Sequence, residues 1–184
     1  MCAALLSPYG HADNLAIEMS ANILNGTCSL DVTSNGIIDL GTVGIDYFRN
    51  AVSADSYQGG GAPFSIRIRD CNAGSDSSIK NLHIIFTPKT GSFAPGTAQV
   101  FPNEASVASG GAQNVGVVIF SVNGDGSVSN VRNAGGSPNA DYSINYLTLD
   151  NSVYHFYSRF QKTGISAVAP GRVTSIVVVD VYYD

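Results

Sequence analysis

The last fourteen residues, Gly171 to Asp184, constrain the fold more than any other stretch. They read GRVTSIVVVDVYYD. Val173, Val177, Val179, Val181 and Tyr183 fall on one face of an extended chain, and only Ser175 breaks the row. Arg172, Thr174, Ile176, Val178, Asp180 and Tyr182 fall on the other. Period-two apolarity with so many β-branched residues predicts a strand. It runs to the last residue, so no later segment is expected to pair with its far side. An uncovered apolar edge is an aggregation hazard, and soluble proteins cover such edges. The question is what covers this one.

The opposite end of the chain holds a candidate. Asp13 to Leu24 reads DNLAIEMSANIL. Leu15, Ile17, Met19, Ala21 and Ile23 alternate with Ala16, Glu18, Ser20, Asn22 and Leu24. The apolar residues do not recur at i, i+3 and i+4, so the pattern favours a strand over a helix.

Between the two ends, turn signals recur at strand-length spacing. Asn35-Gly36 precedes IIDLGTV, and Gly59-Gly60-Gly61 precedes APFSIRIRDC. LHIIFTPK (82–89) reads as a further strand. NVGVVIFSV (114–122) runs into Asn123-Gly124-Asp125-Gly126, a hairpin signal. DYSINYLTL (141–149) and SVYHFYSRF (152–160) complete the set. Loops are expected near 91–96 and 134–138, and no segment is assigned to a helix. Many short strands at this spacing predict an all-β, antiparallel sandwich.

The net charge of −5 argues against nucleic acid and anionic membranes as partners, because both need clustered Lys and Arg. The nine cations are scattered. No stretch is long and apolar enough to suggest membrane insertion. MCAALLSPYGHA at the start resembles the tail of a secretory signal, cleaved after Ala12, although it lacks a charged first region. Its removal takes Cys2 away and leaves Cys28 and Cys71, an even pair in a chain bound for an oxidising compartment. That pair can bridge or remain as two buried thiols.

Signals for catalysis are weak. His11 lies in the leader, His83 among apolar strand residues, and His155 in an aromatic strand. No Cys-x-x-Cys or His-rich spacing marks a metal site. No G-x-S-x-G elbow frames a serine nucleophile. Asn123 to Ser127 supplies one carboxylate, too few for a calcium loop and well explained by a hairpin. The expectation is no catalytic residue, no metal and no cofactor.

The two ends and the cysteines together resemble a pilin subunit of the chaperone–usher pathway, similar to the type 1 fimbrial subunits. In that family a penultimate Tyr closes the chain, as Tyr183 does, and a Gly stands fourteenth from the end, as Gly171 does. Gly36-Ile37-Ile38-Asp39-Leu40-Gly41 resembles its I-x-L-G segment. Phe64-Ser65-Ile66-Arg67-Ile68-Arg69-Asp70-Cys71 resembles its F-x-I-x-L-x-x-C segment. An alternating extension precedes the first cysteine, here Leu15 to Ile23. The family carries Gly in the middle of this extension, where this chain has Ala21.

The resemblance implies an immunoglobulin-like sandwich lacking its final strand and completed by donor-strand addition. It implies a leader over 1–12, a donor extension over 13–27 and a pilin domain over 28–184. It implies a Cys28–Cys71 disulfide. Leu15, Ile17, Met19, Ala21 and Ile23 would form the donor row. Gly171, Val173, Val177, Val179, Val181 and Tyr183 would line the groove that receives a chaperone or a neighbour. The implied partners are a periplasmic pilus chaperone, an outer-membrane usher and neighbouring pilin subunits. The implied route is export through the periplasm to a cell-surface fimbrium that supports adhesion. A carbohydrate-binding fimbrial adhesin or secreted β-sandwich lectin is the alternative, and a secreted hydrolase stands third.

Overall fold

The computed structural model describes residues 16–22, 28–50, 52–71 and 81–184. The expected leader, with Leu15 and Ile23 of the donor row, lies outside the described residues. Among the described residues eleven strands run in the order β1 (Ala16–Asn22), β2 (Ser29–Val32), β3 (Ile37–Asp39), β4 (Ala62–Arg69), β5 (Asn81–Pro88), β6 (Phe101–Pro102), β7 (Val115–Val122), β8 (Val128–Asn130), β9 (Asp141–Ser143), β10 (Val153–Lys162) and β11 (Ser175–Tyr183). They form two sheets. One has the order β3-β1-β11-β5-β9, and the other β2-β4-β10-β7-β6, with β8 also pairing β7.

The sheets face each other across one apolar core. Phe64, Ile66 and Ile68 alternate inward from β4, while Leu82, Ile84 and Phe86 do so from β5. Val177, Val179 and Val181 of β11 join them. The Phe86 and Phe156 rings meet edge to face at 5.1 Å, and Phe64 stacks on Phe156 at 5.3 Å. Such offset aromatic pairs add about 0.5–1.5 kcal/mol beyond the area they bury. Cys28 and Cys71 are bonded, with Cα atoms 4.0 Å apart. The bridge joins the start of β2 to the residues after β4. Closing a loop of that length contributes about 4 kcal/mol in the chain-entropy treatment.

Two expected strands are interrupted. IIDLGTV is a strand only over Ile37–Asp39, because the Asp39 carboxylate accepts from Gly41 N (2.8 Å) and turns the chain. DYSINYLTL is a strand only at its start. Asn145 caps a single helical turn, α1 (Tyr146–Leu149), its side chain accepting from Leu147 N at 3.0 Å. That turn buries Leu149 in the core and leaves Leu147 outside. This turn is the one α-helical segment among the described residues, in a fold that is otherwise β as expected.

The second sheet has a covered outer face. Residues 52–58 lie across it, held by side chains of β10. Arg159 donates to the carbonyls of Ser53 (2.9 Å) and Ser56 (2.7 Å), and Gln161 donates to that of Val52 (2.9 Å). Tyr157 Oη donates to Gln58 O (3.0 Å) and accepts from Gly61 N (2.7 Å). Beneath this strap Val118, Phe120, Val100 and Ala94 form a second small core.

Candidate functional site

The site is the strand slot between β3 and β11. β11 starts where the chain returns from β10. Ala112 N donates to Arg172 O (2.8 Å), Arg172 N donates to Gly110 O (2.9 Å), and Ala169 and Gln113 exchange backbone bonds. Gly110, Ala112 and Gln113 precede β7, whose first residue pairs with Lys162, the last of β10. β11 therefore begins at this pole and runs toward the opposite one, where Val153 pairs with Arg67 near the disulfide.

Gly171 sits at the entrance to β11. Its φ of 151° lies in the region that favours glycine, and an added Cβ would stand 2.5 Å from Ala112 N and 2.6 Å from Gly110 O. The backbone bonds at Gly110 and Ala112 require that close approach, so only glycine fits. The start of β11 is also held from the side. Thr174 N donates to Asn103 Oδ1 (2.8 Å), Ile176 N donates to Glu104 Oε1 (3.3 Å), and Glu104 N donates to Thr174 O (2.7 Å). Asn103 and Glu104 carry no pattern that would have marked them in the sequence.

The alternating row of β11 faces the core. Val173, Val177, Val179 and Val181 are buried, and Tyr183 packs against the same cluster. Ser175 is fully buried within the row, and its hydroxyl has no hydrogen-bond partner. A buried hydroxyl left unpaired is costly. Ser175 is the position that breaks the apolar row. Beyond it, toward Gly171, lies an apolar cavity of about 550 Å³ lined by Val43, Phe48, Val115, Phe160, Val168 and Val173.

The two flanks of β11 are occupied differently. On one side β5 pairs antiparallel, from Val177↔Pro88 to Tyr183↔Leu82. On the other β1 pairs parallel, from Ile17↔Ser175 through Met19↔Val177 and Ala21↔Val179 to Asn22↔Asp180. β1 also pairs antiparallel with β3, Ala16↔Asp39 to Glu18↔Ile37. The far side of the last strand, expected to await another chain, is here covered by the protein's own N-terminal strand. Ile17, Met19 and Ala21 are thus brought backbone to backbone with Ser175, Val177 and Val179.

Three comparisons bear on what such a slot is for. Residues 17–184 match the fimbrial protein family. The chain belongs to that family. The uncharacterized fimbrial-like protein YadK of Escherichia coli (strain K12) is 39% identical over 170 residues, covering 91% of this chain and 84% of that protein. The minor fimbrial subunit HifD of Haemophilus influenzae is 28% identical over 189 residues, covering 100% of this chain and 79% of its own. Among solved structures, the P pilus rod subunit PapA superposes with a TM-score of 0.55 at 16% identity, over 86% of this chain and 99% of that one. That likeness establishes the pilin fold, an immunoglobulin-like sandwich with open sheets. The chain is a structural subunit of a fimbria, and its work is contact with other pilin subunits at the cell surface. Among the described residues no helix is long and apolar enough to cross a membrane, and no cluster of His, Cys, Asp and Glu could hold a metal.

Proposed function

We propose that this subunit polymerises by strand exchange through the slot between β3 and β11. In the fibre, the slot takes the N-terminal strand of a neighbouring subunit, and residues 13–27 of this chain fill the slot of the next. The carrying observation is that the first sheet is completed by a strand from the far N-terminal part of the chain, set between two strands that do not otherwise pair. Strand addition of this kind draws affinity from the backbone ladder and selectivity from alternate side chains. A donor-to-acceptor contact is heterologous, so it propagates as an open filament. Before assembly, a periplasmic chaperone lends a strand to the same slot, and an outer-membrane usher directs the exchange. The alternative of a separate lectin gains no support, because the family match occupies residues 17–184.

Under this reading Leu15, Ile17, Met19, Ala21 and Ile23 are the donor row. Ala21→Trp should overpack the slot of a neighbour, a change that typically costs about 1–3 kcal/mol. It should block recovery of heat-stable, SDS-resistant polymer from cells while leaving capture by the chaperone intact. Glu18→Ala, one residue off the row, should leave polymer yield unchanged. Normal polymer from Ala21→Trp, or equal loss from Glu18→Ala, would refute the face assignment.

A further inference from the structure

The direction of β1 carries information that its mere presence does not. Among the described residues every other strand ladder is antiparallel, and β1 against β11 alone is parallel. The reason lies in the tether. Only residues 23–27 separate Asn22 from Cys28. Cys28 is fixed in the other sheet by its disulfide and by β2, whose Ser29 pairs with Arg69. This anchor lies at the pole where β11 ends. The parallel strand finishes at that pole, with Asn22 beside Asp180.

A reversed strand in the same slot would finish near Ser175 instead. That end is five residues of β11 away, about 17 Å at strand rise, and the sheets are about 10 Å apart. The combined span is about 20 Å. Six peptide steps reach about 20–22 Å only when fully extended. The chain can therefore enter its own slot comfortably in one direction only. A strand arriving from a second copy has no such tether and is free to run antiparallel, the pairing that is more stable per residue.

We propose that β1 in its own slot is a plug, and that the free subunit closes as a latent monomer. The inference rests on the slot being the acceptor for exchange. Closure uses the donor strand and the acceptor slot of one molecule at once, so the closed monomer can join a fibre at neither end. Because the resident strand runs parallel and its replacement antiparallel, the two share no register. Exchange then starts with withdrawal of β1, and a partner that lends a strand early prevents the closure.

The test uses the full-length, disulfide-bonded subunit refolded alone and a fluorescent peptide copying residues 13–27. Binding by the closed monomer should level off with peptide concentration, at a ceiling set by withdrawal of β1. A variant lacking residues 13–24 should bind at least ten times faster, with a rate that rises linearly. Equal, linear rates for both would overturn the plug and leave the slot as an acceptor. No binding by either would overturn the acceptor reading itself. Direction is tested in the full-length chain, independently of whether the deletion folds. Asn22→Cys combined with Asp180→Cys should close an intramolecular disulfide in the monomer and abolish peptide uptake. Asn22→Cys combined with Ile176→Cys should not close. Closure of the second pair, or of neither, would overturn the parallel plug.

Discussion

The two flanks of β11 differ in how they are held, and the difference separates structure from function. Toward β5 the ladder spans Val177 to Tyr183 and is antiparallel. It is locked at its end by Asn81, which exchanges backbone bonds with Asp184 (3.0 and 3.1 Å) and donates from its side chain to the Asp184 carboxylate (3.0 Å). Toward β1 the ladder spans Ser175 to Asp180 and is parallel, and its strand hangs on a five-residue connector. The first flank belongs to the permanent core. Under the proposed exchange, the second is a position that one strand leaves and another takes. A subunit that exchanges strands in this way needs both, because its fold has to survive the moment of exchange.

The comparison predicts that damage to the two flanks will respond differently to an added donor strand. The largest effect should come from the permanent side. Phe86 of β5 is fully buried against Phe156. Phe86→Ala should cost about 3–5 kcal/mol, the usual range for a buried aromatic truncated to Ala. Denaturant unfolding should show this loss whether or not peptide 13–27 is present. Deletion of residues 13–24 should also destabilise, but saturating peptide should restore that loss through binding linkage. Full rescue of Phe86→Ala by peptide, or none of the deletion, would erase the distinction between the flanks.

A smaller effect is expected at the joint between them. Gly171→Ala places a Cβ against the Ala112 amide and forces a φ that side chains rarely adopt. Strained backbone of this kind costs about 1–3 kcal/mol, and the contact adds to it. The entry of β11 should shift, so both stability and peptide affinity should fall together. Unaltered affinity in a folded Gly171→Ala protein would show that the entrance does not shape the slot.

The sequence made some of this architecture legible and hid the rest for physical reasons. The long strands were readable because burial on one face imposes period two, as in Phe64, Ile66 and Ile68 or Val177, Val179 and Val181. β7 does not alternate, because Val118 and Phe120 are buried under the 52–58 strap while Val117 and Ile119 face the main core. The strap itself was invisible, since it is held by buried polar side chains on backbone carbonyls, an arrangement with no periodicity. Asn145 and Asp39 broke two expected strands through single side-chain bonds to nearby amides. For the slot, the apolar rows at both ends were plain. The direction of β1 was not, because alternation is the same for a strand read either way. Direction came from the tether, which depends on where Cys28 is anchored in three dimensions.

The smallest effect should come from pH, and it should touch only one flank. His83 of β5 donates from Nδ1 to the Asp141 carboxylate of β9 at 2.7 Å. Its ring stacks on Tyr182 with centroids 4.4 Å apart, and Nε2 lies 3.4 Å from Asp184 Oδ1. Burial alone would push the imidazole pKa down. The hydrogen bond that the ring donates to Asp141, the nearby Asp184 carboxylate and the charges of both outweigh it and leave the value raised. A raised histidine stabilises the fold fully below its unfolded value, near 6.5, and the contribution is lost as pH rises through the folded value. The β5–β9 edge should therefore exchange its amide hydrogens faster above neutrality than at pH 5.5, after correction for intrinsic rates. His83→Gln should remove that difference. The withdrawal rate of β1 should change with pH no more in the wild type than in His83→Gln, because none of these groups lies on its ladder. A pH-dependent release of β1 that His83→Gln abolishes would mean that the two flanks are coupled through β11 rather than independent.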